Sequence, residues 1–318
     1  MVTYAIRRML LIVPTLIILT LILFFIVRLI PGSIIDLMAS QHVTSGGVEY
    51  NPEDIKEMLG MNKPIYAQYG DWVWGLLHGD LGSSLWTKRA MVDELRVRLP
   101  VTLELSILAL TLGVLFSVPI GIYAAIRQDT ITDYIMRAIS IAALAVPSFW
   151  IATMVIVYPS IWWGVTPSME YIPLAKDPLR NLGQFLLPAA IMALSTSGGL
   201  MRITRTMMLE VMRQDYVRTA WSKGLREKTV IIRHAVKNTL IPVVTLLGGM
   251  IPALFGGSVI IEQIFNMPGM GRYLLDAINS RDYLIVSGWN LIMSTIVLFA
   301  ILLTDLSYSF VDPRIRYS

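Results

Sequence analysis

The sequence predicts an all-α membrane protein with six transmembrane helices. Three observations lead there. The chain is 55% hydrophobic and only 15% charged, against roughly 25% charged residues in soluble domains. Six stretches, 9–27, 101–126, 138–158, 184–201, 239–261 and 284–306, come near the ~20 apolar residues that a helix needs to cross a bilayer. The basic residues between them fall mainly on one side, as the positive-inside rule requires.

The first stretch follows Arg7 and Arg8. It is too long for the apolar core of a signal peptide and no A-x-A cleavage site follows it, so it reads as a retained helix. Residues 28–100 then form a long extracytoplasmic loop. Within it, NPEDIKEML (51–59) offers Asn51 as a cap and Pro52 as a first helical residue. YGDWVWGLLHGDLGSSL (69–85) mixes tryptophan with glycine and reads as an interfacial helix ending in a turn; an aromatic belt at the headgroups accounts for the tryptophans equally well.

From the second span onward, short loops alternate. With the N-terminus inside, the segments 1–8, 127–137, 202–238 and 307–318 carry 15 basic residues, and the short outer loops 159–185 and 263–283 carry 4. Both termini are therefore expected in the cytoplasm. The 28–100 loop, with 7 basic and 9 acidic residues, exceeds the length over which the rule holds. Pro14, Pro119, Pro147, Pro188, Pro242 and Pro252 lie in or beside spans. They weaken helices by removing backbone donors, which suits a bundle that rearranges as well as ordinary membrane packing. The whole of 1–318 is expected to be one transmembrane domain, with 202–238 as its main cytoplasmic loop.

Several chemistries are excluded. There is no cysteine, hence no disulfide framework, thiolate metal site or catalytic thiol. His42, His78 and His234 are far apart, so no zinc site is expected. No GxxxxGK[ST] loop is present, so the chain is not expected to bind ATP. A net charge of +4 is too dispersed for nucleic acid. Glu104, Glu262 and Asp305 stand near the ends of spans and Arg28 can snorkel. All are expected to reach the interface, which argues against a proton-coupled transporter or a channel lined by charged rings.

The segment YVRTAWSKGLREKTVIIRHAVKN (216–238) holds six lysines or arginines and one acid, Glu227. A helix from about Met207 to Ser222 is expected from its helix-forming composition. Gly224 permits a left-handed stop, and a second helix runs from about Glu227 through Asn238 into the next span. Thr219 and Ala220 would present a small surface before the bend, open to close approach by another protein. Charge alone leaves open a simple basic loop on anionic headgroups.

The order of those residues resembles the cytoplasmic EAA loop of ABC importer permeases, and most closely the peptide-permease form, Y-V-x-x-A-x-x-K-G followed by R-H-A-[LV]-[KR]-N and proline. Tyr216, Val217, Ala220, Lys223, Gly224, Arg233, His234, Ala235, Lys237, Asn238 and Pro242 match it. YAIRRMLLIVPTL (4–16), GDLGSSL (79–85), RLPVTLEL (98–105), PGMGRYLLDAINSRDYLIV (268–286) and DPRIRYS (312–318) resemble further motifs of the same family, in the same order. The chain is thus similar to the B-type permease subunit of the dipeptide/oligopeptide/nickel branch. It departs from the family in three places. Pro31-Gly32-Ser33-Ile34 replaces P-G-D-P, the segment SQHVTSGGVEY near 40–50 is longer, and residues 219–221 read TAW, with Trp221 where arginine is common.

The resemblance implies a type I ABC importer permease fold in a prokaryotic inner membrane. It implies that 202–238 is a coupling loop in which Tyr216, Val217, Thr219, Ala220, Lys223 and Gly224 engage an ATPase and Arg233, His234 and Asn238 support them. It implies no cofactor in this chain and no catalysis, ATP-Mg being bound by two partner ATPase subunits. The other partners implied are a sister permease, a solute-binding protein and membrane lipids. Peptides are the expected solute, with nickel chelates, glutathione or oligosaccharides as alternatives. An ATP-independent transporter or channel and a membrane-embedded enzyme are the readings outside this class. The second lacks H-E-x-x-H or a Ser–Lys pair at membrane depth.

Overall fold

The computed structural model describes residues 2–29, 62–165 and 171–311. The expected helix start at Asn51–Pro52, the SQHVTSGGVEY segment and the DPRIRYS end lie outside them. The described residues are helical apart from turns and one isolated antiparallel bridge, Ser83 with Ala90.

Helix α1 spans Val2–Leu29 and α2 spans Ile65–Leu77. The interfacial helix expected at 69–85 thus starts earlier and stops at His78, and Gly79 then turns the chain with φ +82°. Helix α3, Met91–Ile126, extends the second expected span by about three turns on its N-terminal side. Asp93 and Glu94 in its first turn complement the helix dipole. Helices α4, Ile131–Ala145, and α5, Ser148–Trp163, occupy the third expected span. That span, predicted as one helix over 138–158, is instead bent by 87°. Pro147 has no N–H to donate and disfavours the helical conformation for the residue before it; here Val146 sits at φ −89°, ψ 120°.

Helix α6, Pro178–Met212, begins at an Asp177 cap, whose carboxylate accepts the Arg180 N–H at 3.2 Å. Helix α7 spans Asp215–Ser222, and α8, Glu227–Thr229, leads through a π-helical stretch, Val230–Val236, into α9, Lys237–Ile264. Helix α10, Met270–Asn279, and α11, Tyr283–Val311, complete the order. Among the described residues five helices are long and apolar enough to cross a membrane, or six if the bent α4–α5 pair is counted as one span. Large apolar side chains such as Leu10, Ile107, Ile141 and Leu303 are exposed, as a lipid-facing surface requires.

The chain clusters into two compact units. One comprises Met1–Arg8, Arg98–Tyr273 and Ile296–Ser318. Its core joins Val101, Leu105 and Ala109 of α3, Ala152 of α5, Phe185, Ala189 and Met192 of α6, and Leu254 and Ile261 of α9. Within it α4 lies along α6. Gly198 makes that approach possible, since a Cβ there would meet the Ser140 carbonyl oxygen at 2.5 Å; close helix contact in membranes is built on such small residues.

The other unit comprises Met9–Val97 and Leu274–Thr295. Phe24 of α1 is buried against Tyr69, edge to face, and against the tilted ring of Trp72, both of α2, and Thr20 bonds the Tyr69 hydroxyl at 3.0 Å. Trp72 is therefore a packing residue, whereas Trp74 is exposed. The GDLGSSL and RDY motifs meet in this unit. Asp282 is buried and its carboxylate accepts the Ser84 hydroxyl at 2.6 Å and the Leu85 N–H at 3.1 Å. The Trp86 indole donates to the Ser280 carbonyl at 2.8 Å.

Candidate functional site

The basic segment forms a hairpin whose bend is Gly224. Its φ of +73° is left-handed, a region costly for side-chain-bearing residues. The turn closes by Gly224 N–H to the Trp221 carbonyl at 2.9 Å and Lys223 N–H to Thr219 at 3.1 Å, which satisfies carbonyls at the end of α7. The second arm starts at Glu227, as expected.

The first arm differs from expectation. The helix predicted over Met207–Ser222 is broken at Arg213–Gln214, and Gln214 adopts an extended conformation, φ −70°, ψ 147°. No proline or glycine causes this. The break reorients α7 so that Val217 and Ala220 bury against Val230, with Val211 and Met212 packed beside them. Burial of apolar surface has overridden local propensity.

Ala220 is consequently only 5% exposed. It does not form the open small surface expected of it; it lets the two arms of the hairpin close on each other. Val217 has the same internal role. Thr219 is exposed, but its hydroxyl is engaged by the Asp215 carbonyl at 2.9 Å. Tyr216 and Trp221 are each more than 40% exposed, and Arg218, Lys223 and Arg226 are exposed as well.

The supporting residues divide. Asn238 donates to the Tyr216 hydroxyl at 3.0 Å and to the His234 carbonyl at 2.7 Å, so it ties the arms together at their open end. His234 is half-buried and Arg233 exposed. Below them Ala235 packs on Met208 of α6 and Ala125 of α3, and the Thr239 hydroxyl donates to the Met208 sulfur at 3.3 Å. The hairpin is thereby seated on the ends of two long helices of its own unit, α3 and α6. The π-helical turn at Val230–Val236 was not legible in the sequence; VIIRHAV carries no breaker that would announce it.

Two buried carboxylates were also missed. Glu262, expected to reach the interface, is fully buried. It accepts the Thr102 hydroxyl at 2.7 Å and the Arg272 N–H at 2.9 Å, and Thr102 in turn accepts the Met270 N–H at 2.8 Å. Glu262 and Thr102 therefore cap the first turn of α10, where free N–H groups and the positive end of the helix dipole favour a carboxylate. Asp133, also fully buried, takes both nitrogens of the Arg205 fork at 2.7 Å. Their separation of 72 residues left no local signal to find the pair.

The family described as binding-protein-dependent transport system inner membrane component matches residues 117–317, and its N-terminal companion matches 1–106. The oligopeptide transport system permease protein AppB of Bacillus subtilis (strain 168) is 36% identical over 320 residues, covering 100% of both chains. The dipeptide transport system permease protein DppB of Escherichia coli (strain K12) is 35% identical over 341 residues, covering 100% of this chain and 99% of its own. A crystal structure of an amino acid ABC transporter with histidines covers 69% of this chain and 94% of its own at 18% identity, with a TM-score of 0.48. The chain belongs to the family of binding-protein-dependent transport system inner membrane components.

Proposed function

We propose that the chain is the membrane subunit of an ATP-driven importer that passes peptides. The solute rests on the relatives named as oligopeptide and dipeptide permeases, which it matches over its whole length. A sister permease would complete the path, and a solute-binding protein would deliver the peptide from outside. Two ATPase subunits would bind ATP-Mg; this chain binds neither.

The observation that carries the coupling role is the seating of the hairpin. Its arms are closed on each other by Val217, Ala220 and Val230, and its base is packed on α3 and α6. A displacement applied to Tyr216 and Trp221 would therefore move long helices rather than a loose loop. ATP-driven closure of the ATPases would shift the population from inward-facing to outward-facing states. Both termini and the hairpin lie in the cytoplasm on this reading.

The test is reconstitution. The chain is purified with its co-assembling subunits, placed in proteoliposomes and supplied with the binding protein and ATP. Uptake of labelled di- and oligopeptides is expected, dependent on ATP. Uptake of nickel chelates, glutathione or oligosaccharides in place of peptides would replace the solute while keeping the machinery. Uptake without ATP would overturn the proposal.

A further inference from the structure

The Asp133–Arg205 pair is not accounted for by any of this. Asp133 lies in the first turn of α4, whose N-cap is Thr130. Its carboxylate receives Arg205 Nε on one oxygen and a terminal guanidinium nitrogen on the other, both at 2.7 Å. The Asp129 N–H adds a third bond at 3.1 Å, and Arg137 Nε stands 3.6 Å away. Asp133 has no exposed side-chain surface and Arg205 only 14%. Burying two charges is expensive, and well-packed apolar residues often hold such a site as well or better. What the ion pair supplies that an apolar contact does not is a fixed register, because the planar Arg fork donates to both carboxylate oxygens in one geometry.

The two ends of the pair belong to different working parts. Arg205 is on α6 one turn before Met208, the fully buried residue on which Ala235 and Thr239 seat the base of the hairpin. Asp133 is at the start of α4, which runs along α6 through the Ser140–Gly198 approach and then meets the 87° bend into α5. We propose that the Asp133–Arg205 pair is the joint through which movement of the α7–α9 hairpin reaches the bent α4–α5 span. The two are positioning residues: they touch no solute and act by keeping α4 in step with the end of α6. The inference rests on the coupling role proposed for the hairpin.

Because the chain contains no cysteine, the joint can be removed and rebuilt. In the complete reconstituted transporter, Asp133→Cys with Arg205→Cys is expected to assemble and hydrolyse ATP at nearly the wild-type rate. Uptake per ATP is expected to fall about tenfold, within the usual range of coupling between sites. A short bifunctional thiol reagent spanning the two cysteines is expected to restore uptake. Normal uptake in the unlinked variant would overturn the joint, and so would failure of the link to restore it. If the double variant does not assemble, Arg205→Lys keeps the charge but loses the fork. Its uptake per ATP is expected to drop, and an unchanged ratio overturns the proposal. A wild-type complex that shows no ATP-driven uptake would instead sink the functional reading beneath it.

Discussion

At the scale of single residues, three positions make separable predictions. Gly224 is left-handed with no heavy atom near the place a Cβ would occupy, so a substitution there strains the backbone without clashing. Asn and Asp tolerate that conformation better than other residues. Gly224→Asn is therefore expected to keep most uptake, Gly224→Val to lose more, and Gly224→Asp to abolish it by adding a charge at the bend, all three inserting normally. Equal uptake by the Asn and Asp variants would show that charge at the bend does not matter. Asp282 gives a pH prediction. Burial pushes its carboxyl above the ordinary value of 3.8, partly offset by the Ser84 hydrogen bond. A raised value means the folded state favours the protonated form, so its stabilising contribution is full below the ordinary range and is lost as pH rises through the shifted one. Asp282→Asn keeps an acceptor for Ser84 and Leu85 but cannot ionise. Its melting temperature in detergent is expected to exceed the wild type's by a margin that grows as pH rises; a margin independent of pH would contradict this.

At the scale of elements, two joints between helices can be broken one at a time. Glu262 with Thr102 caps α10. Glu262→Ala would leave the Thr102 O–H and the Arg272 N–H without their acceptor, each costing about 1–3 kcal/mol, whereas Glu262→Gln retains an acceptor. Thermal unfolding of the purified chain should rank wild type, Gln and Ala in that order, and Ala matching wild type would refute the cap. Gly198→Val should separate α4 from α6, since even a Cβ collides with the Ser140 carbonyl. The expected result is lower stability and loss of uptake together, which distinguishes a packing lesion from the uncoupling expected at Asp133 and Arg205.

At the scale of the whole molecule, the prediction is orientation. The segments 127–137 and 202–238, which together hold 11 basic residues, should face the cytoplasm, and the segment around Thr87, exposed in the structure, should face outward. In the cysteine-free chain, Thr87→Cys is expected to react with an impermeant thiol reagent in intact cells and Arg226→Cys only after the membrane is opened. The reverse labelling would invert the topology and remove the hairpin from any cytoplasmic ATPase.

The sequence alone determined the class of protein, five spans and the place of a sixth, and the hairpin with its bend at Gly224. Each rests on a local property: apolar run length, charge on either side, and the one residue type that turns left-handed without strain. Only the tertiary structure decided the 87° bend at Val146–Pro147, for Pro188, Pro242 and Pro252 stand inside unbroken helices and a proline does not say by itself whether a helix yields. It alone decided that α7 breaks from α6, that Ala220 faces inward, and that Asp133 pairs with Arg205 and Glu262 caps α10. Those outcomes depend on which side chains fill the same buried space and which polar groups must find partners there, across 72 residues for one pair and 160 for the Thr102–Glu262 bond. Periodicity and spacing along a chain carry no record of such distances.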